Sequence, residues 1–152
     1  MKKTNILRVT ALILVAVMCF SLAACSRLCN LGIVENVEVE LGDSDRFSQQ
    51  ELEDAVECVK DYFKINFVNC ELLSISYDKY QSDNNIEGYL NRGPGATNGS
   101  TYENTISLSS DFVTYDVGSD TGLEPNADYS YWNWTLIRSS RHGHWHVIEC
   151  GY

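Results

Sequence analysis

One amphipathic helix constrains the fold of this chain more than any other feature of its sequence. Ser48 and Glu51 form a capping box, in which each side chain satisfies a backbone N–H of the other residue, and this pattern marks a helix N-terminus. The apolar residues that follow, at offsets of 0, 3, 4, 7, 10 and 11, are Leu52, Ala55, Val56, Val59, Tyr62 and Phe63. On a helix these residues share one stripe about 100° wide. We therefore expect a helix that ends near Phe67 and buries this stripe.

Five short segments are predicted to be strands. They alternate between apolar and polar residues or are rich in β-branched and aromatic residues, as half-buried strands are. The segments are 37–41, 73–77, 105–115, 129–138 and 145–152. The turn at 139–143 joins the last two, which should pair as a C-terminal β-hairpin. The fold class is therefore predicted to be α+β, with one long amphipathic helix packed on one face of an antiparallel sheet of about five strands.

The remaining segments carry weaker signals. Residues 82–90 predict a short, poor helix, while the glycine-containing stretches 91–102 and 116–128 predict surface loops. The second loop has carboxylates every four residues, at Asp116, Asp120, Glu124 and Asp128. Carboxylates on flexible backbone can hold Ca²⁺, but this spacing differs from that of an EF-hand, so a solvated acidic loop is the favoured interpretation.

The first 25 residues have the pattern of a bacterial lipoprotein export signal. Lys2 and Lys3 precede an apolar stretch at 12–20, which is too short to anchor the chain permanently. Leu22-Ala23-Ala24-Cys25 then matches a lipobox, whose cysteine thiol receives a diacylglycerol before cleavage on its amino side. The predicted organisation is a signal peptide at 1–24, a lipidated tether at 25–36 and a single α+β domain at 37–152. Acyl chains on Cys25 would hold the protein on the extracytoplasmic face of the cell membrane.

The charge of the chain argues against nucleic acid as a partner. The sequence has 11 Lys and Arg residues against 21 Asp and Glu residues. Loss of the signal peptide would remove Lys2, Lys3 and Arg8 and leave 8 basic residues against 21 acidic ones, a net charge of −13. Phosphate backbones and anionic lipid surfaces both attract basic patches. The membrane is therefore predicted to be contacted through the lipid anchor, and the expected partner is a protein or a cell-wall component.

An even number of cysteines remains after Cys19 is removed and Cys25 is lipidated. They are Cys29, Cys58, Cys70 and Cys150. In an exported protein such a set is consistent with disulfides, although sequence alone allows three full pairings. Cys58 and Cys70 are the favoured pair, because Cys58 would lie about 12 Å before the helix end and the extended return to Cys70 covers a similar distance. The alternative is a set of free thiols that pack as small apolar side chains.

Three histidines alternate near the predicted hairpin turn, at His142, His144 and His146. On one strand they would share a face and could bind zinc or copper. The turn is expected to fall across His142, which leaves His144 and His146 as metal-ligand candidates. Two ligands do not make a structural zinc site, so a polar turn with one exposed and one hydrogen-bonded histidine is the favoured interpretation.

Aromatic residues are concentrated on the predicted hairpin, at Tyr131, Trp132, Trp134 and Trp145. Alternation places Trp132 and Trp134 on one face of the strand and Tyr131 on the other. One face must cover the helix, and the other could present rings to a sugar or a peptide. The alternative is that most of these rings pack within the sheet and cap it.

Several short motifs follow one another in a fixed order after Cys25. They are Phe47-Ser48-x-x-Glu51, Val59-Lys60-x-x-Phe63-Lys64, Cys70-x-Leu72, Tyr77-Asp78, Pro125-Asn126-x-x-Tyr129, Trp132-x-Trp134-x-Leu136-Ile137-Arg138 and Gly151-Tyr152. In this order they resemble a family of small lipoproteins from Gram-positive gut bacteria, a domain of unknown function. The resemblance covers most of the chain after Cys25. It implies lipid anchoring and a small α+β domain, and it implies no activity.

These features predict a lipid-anchored extracytoplasmic lipoprotein that works as a binding or interaction module at the cell surface. The sequence contains no recognised nucleophile motif, phosphate-binding loop or dinucleotide fingerprint, so no catalytic residue and no cofactor beyond the acyl groups is predicted. The alternative is a metal-dependent or hydrolytic cell-envelope enzyme that uses His144 and His146. Active sites are often assembled from residues far apart in sequence, which keeps this alternative open.

Overall fold

A computed structural model describes residues 31–118 and 121–152 of the chain. Its five strands are β1 (Glu38–Leu41), β2 (Cys70–Tyr77), β3 (Thr105–Thr114), β4 (Asp128–Ile137) and β5 (His146–Gly151). Its three helices are α1 (Gln49–Asn66), α2 (Lys79–Arg92) and α3 (Gly95–Asn98). The predicted signal peptide at 1–24, Cys25 and Cys29 lie outside the described residues. None of the helices in the described part of the chain combines the length and the apolar character needed to cross a bilayer.

The five strands form one mixed sheet in the order β1-β2-β3-β4-β5. Strands β2 to β5 are antiparallel neighbours, and β4 and β5 form the predicted hairpin. Strand β1 instead runs parallel to β2, with Val39 opposite Ile75. The prediction of a purely antiparallel sheet is therefore wrong at this edge. The cause is α1, which connects β1 to β2, because a crossover helix returns the chain to the same end of the sheet and so produces a parallel pair.

Helix α1 forms as the sequence predicts and packs on one face of the sheet. Ser48 is its N-cap, both halves of the capping box are present, and Phe67 is its C-cap. Its buried residues are Leu52, Ala55, Val56, Val59 and Phe63. The Phe63 ring lies edge-on to Phe112 of β3, with 5.6 Å between centroids, and belongs to the main core. The stripe on α1 is thus the helix half of the hydrophobic core.

Helix α2 packs on the opposite face of the sheet, for which no covering element is predicted from the sequence. The Asn85 side-chain amide donates to Asn133 Oδ1 of β4 at 2.8 Å and to Ser107 Oγ of β3 at 3.2 Å. Ile86, Tyr89 and Leu90 form a second, smaller buried cluster there. Adjacent residues of a strand point to opposite faces of the sheet. The polar residues that face α2 therefore alternate along the strands with the core residues that face α1. The sheet is therefore enclosed between two helices.

A bulge in β4 changes which aromatic side chains share a face. Ser110 pairs with Trp132 and Phe112 pairs with Tyr129, so β4 has one more residue than β3 between these pairs. Tyr131 has a φ of 58° at this point, and its N–H donates to Asp111 Oδ1 at 3.0 Å. The extra residue brings Tyr129 and Trp132 to the α1 face, where their ring centroids lie 4.8 and 5.5 Å from that of Phe112.

The last residues of the predicted tether belong to the folded unit, which begins at Gly32. Ile33 forms a parallel bridge with Glu71, and Gly32 N donates to Lys64 O at 2.9 Å. A Cβ on Gly32 would lie 2.6 Å from the Phe63 carbonyl oxygen, so only glycine fits this close approach to α1. Residues 32–33 of the predicted tether thus contact α1 and β2.

Candidate binding clefts on the hairpin

The predicted aromatic binding surface is not a single surface in the structure. Trp134 is fully buried and Trp145 is 6 % exposed, whereas Tyr131 is 72 % exposed and Trp132 is half-buried. Trp134 Nε1 donates to Ser110 Oγ at 2.8 Å, and Trp145 Nε1 donates to the Glu51 carbonyl oxygen at 3.0 Å. Both indoles have internal partners because α1 covers their face of the sheet. These two rings belong to the core and cannot present a platform to a ligand.

The predicted disulfide between Cys58 and Cys70 does not form, and both residues are free thiols. Cys58 Sγ donates to the Trp145 carbonyl oxygen at 3.2 Å, next to the start of β5, whereas Cys70 begins β2. Two strands separate β2 from β5, which places them about 14 Å apart across the sheet. Burial raises the pKa of both thiols, that of Cys70 to about 11. The prediction from the lengths of the helix and the return segment is wrong because Cys58 faces the hairpin side of the sheet.

The two histidines proposed as metal ligands are both exposed. His144 precedes β5, and His146 is its first residue, with the buried Trp145 between them. Among residues 31–118 and 121–152, no three His, Cys, Asp or Glu side chains converge as a metal site would require. The structure therefore gives the histidine pair no third ligand within its described part.

A cleft of about 420 Å³ opens between α2 and the β4–β5 hairpin, and we call it the polar cleft. Its lining includes Asn85, Tyr89, Arg92, Asn133, Thr135 and Glu149. Thr135 and Glu149 are directly paired across β4 and β5. Hydrogen-bond donors, acceptors and both signs of charge thus face one open volume beside an aromatic ring, which is the composition of a site for a polar ligand.

The walls of the polar cleft are held by packing within the fold. The amide of Asn85 fixes the orientation of Asn133. Tyr89 is 7 % exposed, and its hydroxyl accepts from Asn98 Nδ2 at 2.7 Å. A Cβ on Gly95 would lie 2.7 Å from the Tyr89 ring, so this glycine allows α3 to pack against it. Arg92 and Glu149 remain exposed at the two sides of the cleft, on α2 and β5. The cleft therefore has fixed amide groups on its floor and exposed charges at its rim.

A second cleft of about 300 Å³ lies on the α1 face of the hairpin, and we call it the apolar cleft. Its lining includes Tyr62, Phe67, Leu123, Trp132 and Cys150. Trp132 Nε1 is buried and makes no well-formed hydrogen bond within the described residues. Burial raises the pKa of the Cys150 thiol and the Glu149 charge adds to this, while the nearby Trp132 N–H opposes it. Cys150 is thus a neutral thiol in an aromatic environment, and a poor nucleophile.

Sequence reasoning missed most of the residues that line the polar cleft. Asn85 and Arg92 lie on α2, which is longer than the predicted helix at 82–90, and Glu149 lies on β5. The available signal was Asp78, which caps α2 by accepting from Gln81 N at 2.8 Å. No protein-family model, curated protein or solved structure matches this chain. The resemblance to small lipoproteins therefore stays a prediction from the motifs alone.

Proposed function

We propose that this protein is a lipid-anchored extracytoplasmic binding module, and that the polar cleft is its ligand site. Acyl chains on Cys25 would hold it at the cell membrane, with the domain from Gly32 onward outside the cell. The partner would be a protein or a cell-wall component that offers polar groups to the cleft. Nucleic acid is disfavoured by the net charge of −13 expected after signal removal.

The observation that carries this proposal is the combination of a fixed amide floor and exposed side chains of both charges at the rim of one cleft. Asn133 is oriented by Asn85 at 2.8 Å, while Arg92 and Glu149 are free to reach a ligand. A ligand group that replaces water at such a site gains charge-assisted hydrogen bonds. Fixing a protein side chain in advance reduces the entropy that binding must offset.

The alternative of a metal-dependent or hydrolytic enzyme has less support. His144 and His146 lie at the start of β5, outside the lining of the polar cleft. The Cys150 thiol, which lines both clefts, has a raised pKa. A nucleophile needs a neighbouring base or a lowered pKa to react at neutral pH. We therefore favour binding over hydrolysis as the activity of this domain.

The anchoring half of the proposal is tested by the variant Cys25→Ser. We expect the unaltered protein to enter the detergent phase when cells are extracted with a phase-separating detergent, because two or three acyl chains give stable membrane binding. The variant should instead keep its signal peptide, since lipidation precedes cleavage. Metabolic labelling with a fatty-acid analogue, read by mass spectrometry of the N-terminal peptide, gives the direct readout. Equal labelling of both proteins would contradict the anchor.

The ligand half is tested by thermal melting with soluble cell-wall fragments and with the secreted proteins of the same cells. A ligand that binds only the native state must raise the melting temperature. We expect Arg92→Gln and Glu149→Gln each to weaken binding about tenfold, as loss of a charge-assisted hydrogen bond does. Both side chains are exposed, so the fold should tolerate the changes.

The matched control for these two variants is Glu53→Gln, an exposed carboxylate on α1 across the sheet from the polar cleft. It removes the same charge as Glu149→Gln and should leave binding unchanged. Equal weakening by Glu53→Gln and Glu149→Gln, with the opposite effect in Arg92→Gln, would show that net charge drives the interaction, and the polar cleft would then lose its assignment.

A further inference from the structure

Strand β5 has an open edge. It is the last strand in the sheet, and no described residue pairs with its outer side. A register shift opposite Thr135 and Leu136 interrupts its first half at Ile148. Glu149, Cys150 and Gly151 are then regularly paired with β4. Bulges are one way in which proteins prevent another strand from pairing with a sheet edge. Here the bulge affects the first half of β5, and the regularly paired second half lies beside the two clefts.

The two clefts lie on opposite faces of this second half of β5. The polar cleft lies on the α2 face beside Glu149, and the apolar cleft lies on the α1 face beside Trp132. Cys150 lines both of them, which places β5 between the two volumes. Successive side chains of a strand point to opposite faces of the sheet. A strand added beside β5 would therefore direct alternate side chains toward the polar and the apolar cleft.

We propose that the partner of this domain is an extended peptide that adds to β5 as a sixth strand. Backbone hydrogen bonds to the β5 edge would supply affinity, and the two clefts would select alternate side chains. This inference rests on the proposed function, because the polar cleft is the same site.

The lining of the clefts defines the chemistry of the preferred peptide. Glu149 lies on β5 itself, next to the added strand, whereas Arg92 lies on α2 across the polar cleft. A lysine or arginine beside Glu149 would complement this carboxylate and the strongly acidic chain. The apolar cleft, with Phe67, Leu123 and Trp132, suits an aromatic or aliphatic side chain. The preferred segment thus alternates basic and apolar residues.

A second copy of the same chain is a poorer occupant of this edge. Two β5 strands paired around a two-fold axis would bring their Glu149 residues onto the same edge, and each chain has a large negative charge. Like charges that face each other across paired strands destabilise the pair. Charge complementarity therefore favours a basic peptide over self-association.

The test is selection of displayed random peptides of about ten residues, a length that covers one typical strand with a margin, against the full-length protein in detergent. We expect enrichment of peptides that alternate basic and apolar residues. N-methylation of every second backbone amide in an enriched peptide should weaken binding about tenfold when the methylated amides are those that face β5. Methylated amides cannot donate to the sheet edge. Methylation of the other set of amides is the matched control and should have little effect. The protein is unchanged in this comparison, so folding does not affect it.

The outcomes separate this inference from the proposed function. One outcome is that peptides bind, that Glu149→Gln abolishes their binding, and that methylation of either set of amides has the same effect. This outcome would overturn strand addition and leave the polar cleft as the ligand site. Binding of cell-wall fragments alone, with no peptide enriched, would do the same. Dimers seen by sedimentation that compete with the peptides would identify a second copy as the occupant and overturn the peptide. Loss of this difference between the two methylated peptides in Leu123→Asp, but not in Glu53→Gln, would support the apolar cleft as the site of the apolar side chains.

Discussion

Replacing Trp134 with alanine should lower the free energy of unfolding by about 3–5 kcal/mol, the cost of removing a large buried aromatic side chain. Trp134 is fully buried between α1 and the sheet. Its ring centroid lies 5.3 Å from that of Phe67, and its Nε1 donates to Ser110 Oγ at 2.8 Å. The substitution therefore removes core volume and also leaves a buried hydroxyl with one hydrogen bond fewer.

Urea unfolding followed by circular dichroism measures this loss. Tyr131→Ala on the same strand is the control, because Tyr131 is 72 % exposed at the bulge and its removal should cost less than about 0.5 kcal/mol. The two variants test the face assignment of β4 directly. Similar costs for both, or a larger cost for Tyr131→Ala, would mean that the bulge does not separate these side chains as the structure has it.

Replacing Arg138 with methionine should destabilise the domain by about 2–4 kcal/mol, since a buried ion pair loses one partner. The Arg138 side chain is 2 % exposed, and its Nη1 donates to Glu51 Oε1 at 2.6 Å. Its guanidinium also donates to the Glu103 carbonyl oxygen and lies 4.4 Å from the centre of the Trp145 ring. Methionine fills much of the volume but satisfies neither oxygen. The same urea experiment at neutral pH provides the measurement.

This ion pair also predicts how stability depends on acid. Burial alone would raise the pKa of Glu51, but the Ser48 backbone N–H and Arg138 outweigh it and lower the pKa to about 2. A carboxylate whose folded pKa is depressed stabilises the protein above its unfolded pKa of 4.5. The stabilisation is lost as the pH falls from about 4.5 toward 2, where the folded protein also takes up the proton.

Arg138→Met should reduce this acid dependence, because the pKa of Glu51 then moves back toward its ordinary value. Unfolding free energies at pH 6 and pH 3 should therefore differ less in the variant than in the unaltered protein. Glu53→Gln, which removes an exposed carboxylate on the same helix, should leave the difference nearly unchanged. Parallel pH profiles for Arg138→Met and the unaltered protein would contradict the role given to the Glu51–Arg138 pair.

Local signals in the sequence were enough to predict α1 and the strands, because their causes are local. The capping box at Ser48 and the stripe that includes Leu52 and Phe63 depend only on neighbours along the chain. The parallel pairing of β1 depends on the path of the whole crossover, although a strand, a long helix and a strand in succession already indicate it. The predicted sheet therefore has the correct strands, but the predicted direction of its edge strand β1 is wrong.

The binding clefts could not be predicted in the same way, because each depends on contacts between distant segments. Helix α2 lacks a broad apolar stripe, since Asn85 uses its amide to bind a polar sheet face where apolar contact would normally give the signal. The bulge at Tyr131 exchanges the faces of residues on either side of it, so simple alternation along β4 cannot place Tyr129 and Trp132 on the same face. A one-residue insertion of this kind becomes visible only when both strands are aligned in space.

The strand order of the sheet has a consequence for how the chain can fold. Each strand pairs with the strand that precedes it in the sequence, so the order in space is the order of synthesis. A chain that emerges N-terminus first can thus build the sheet by successive addition, and no late strand has to insert between two earlier ones. The later pairs bring together residues close in sequence, such as Ile137 and His146, and such local contacts favour rapid folding. Of the two edge strands, β5 is the last strand of the sheet to emerge, so its open edge exists only once the other strands have been made.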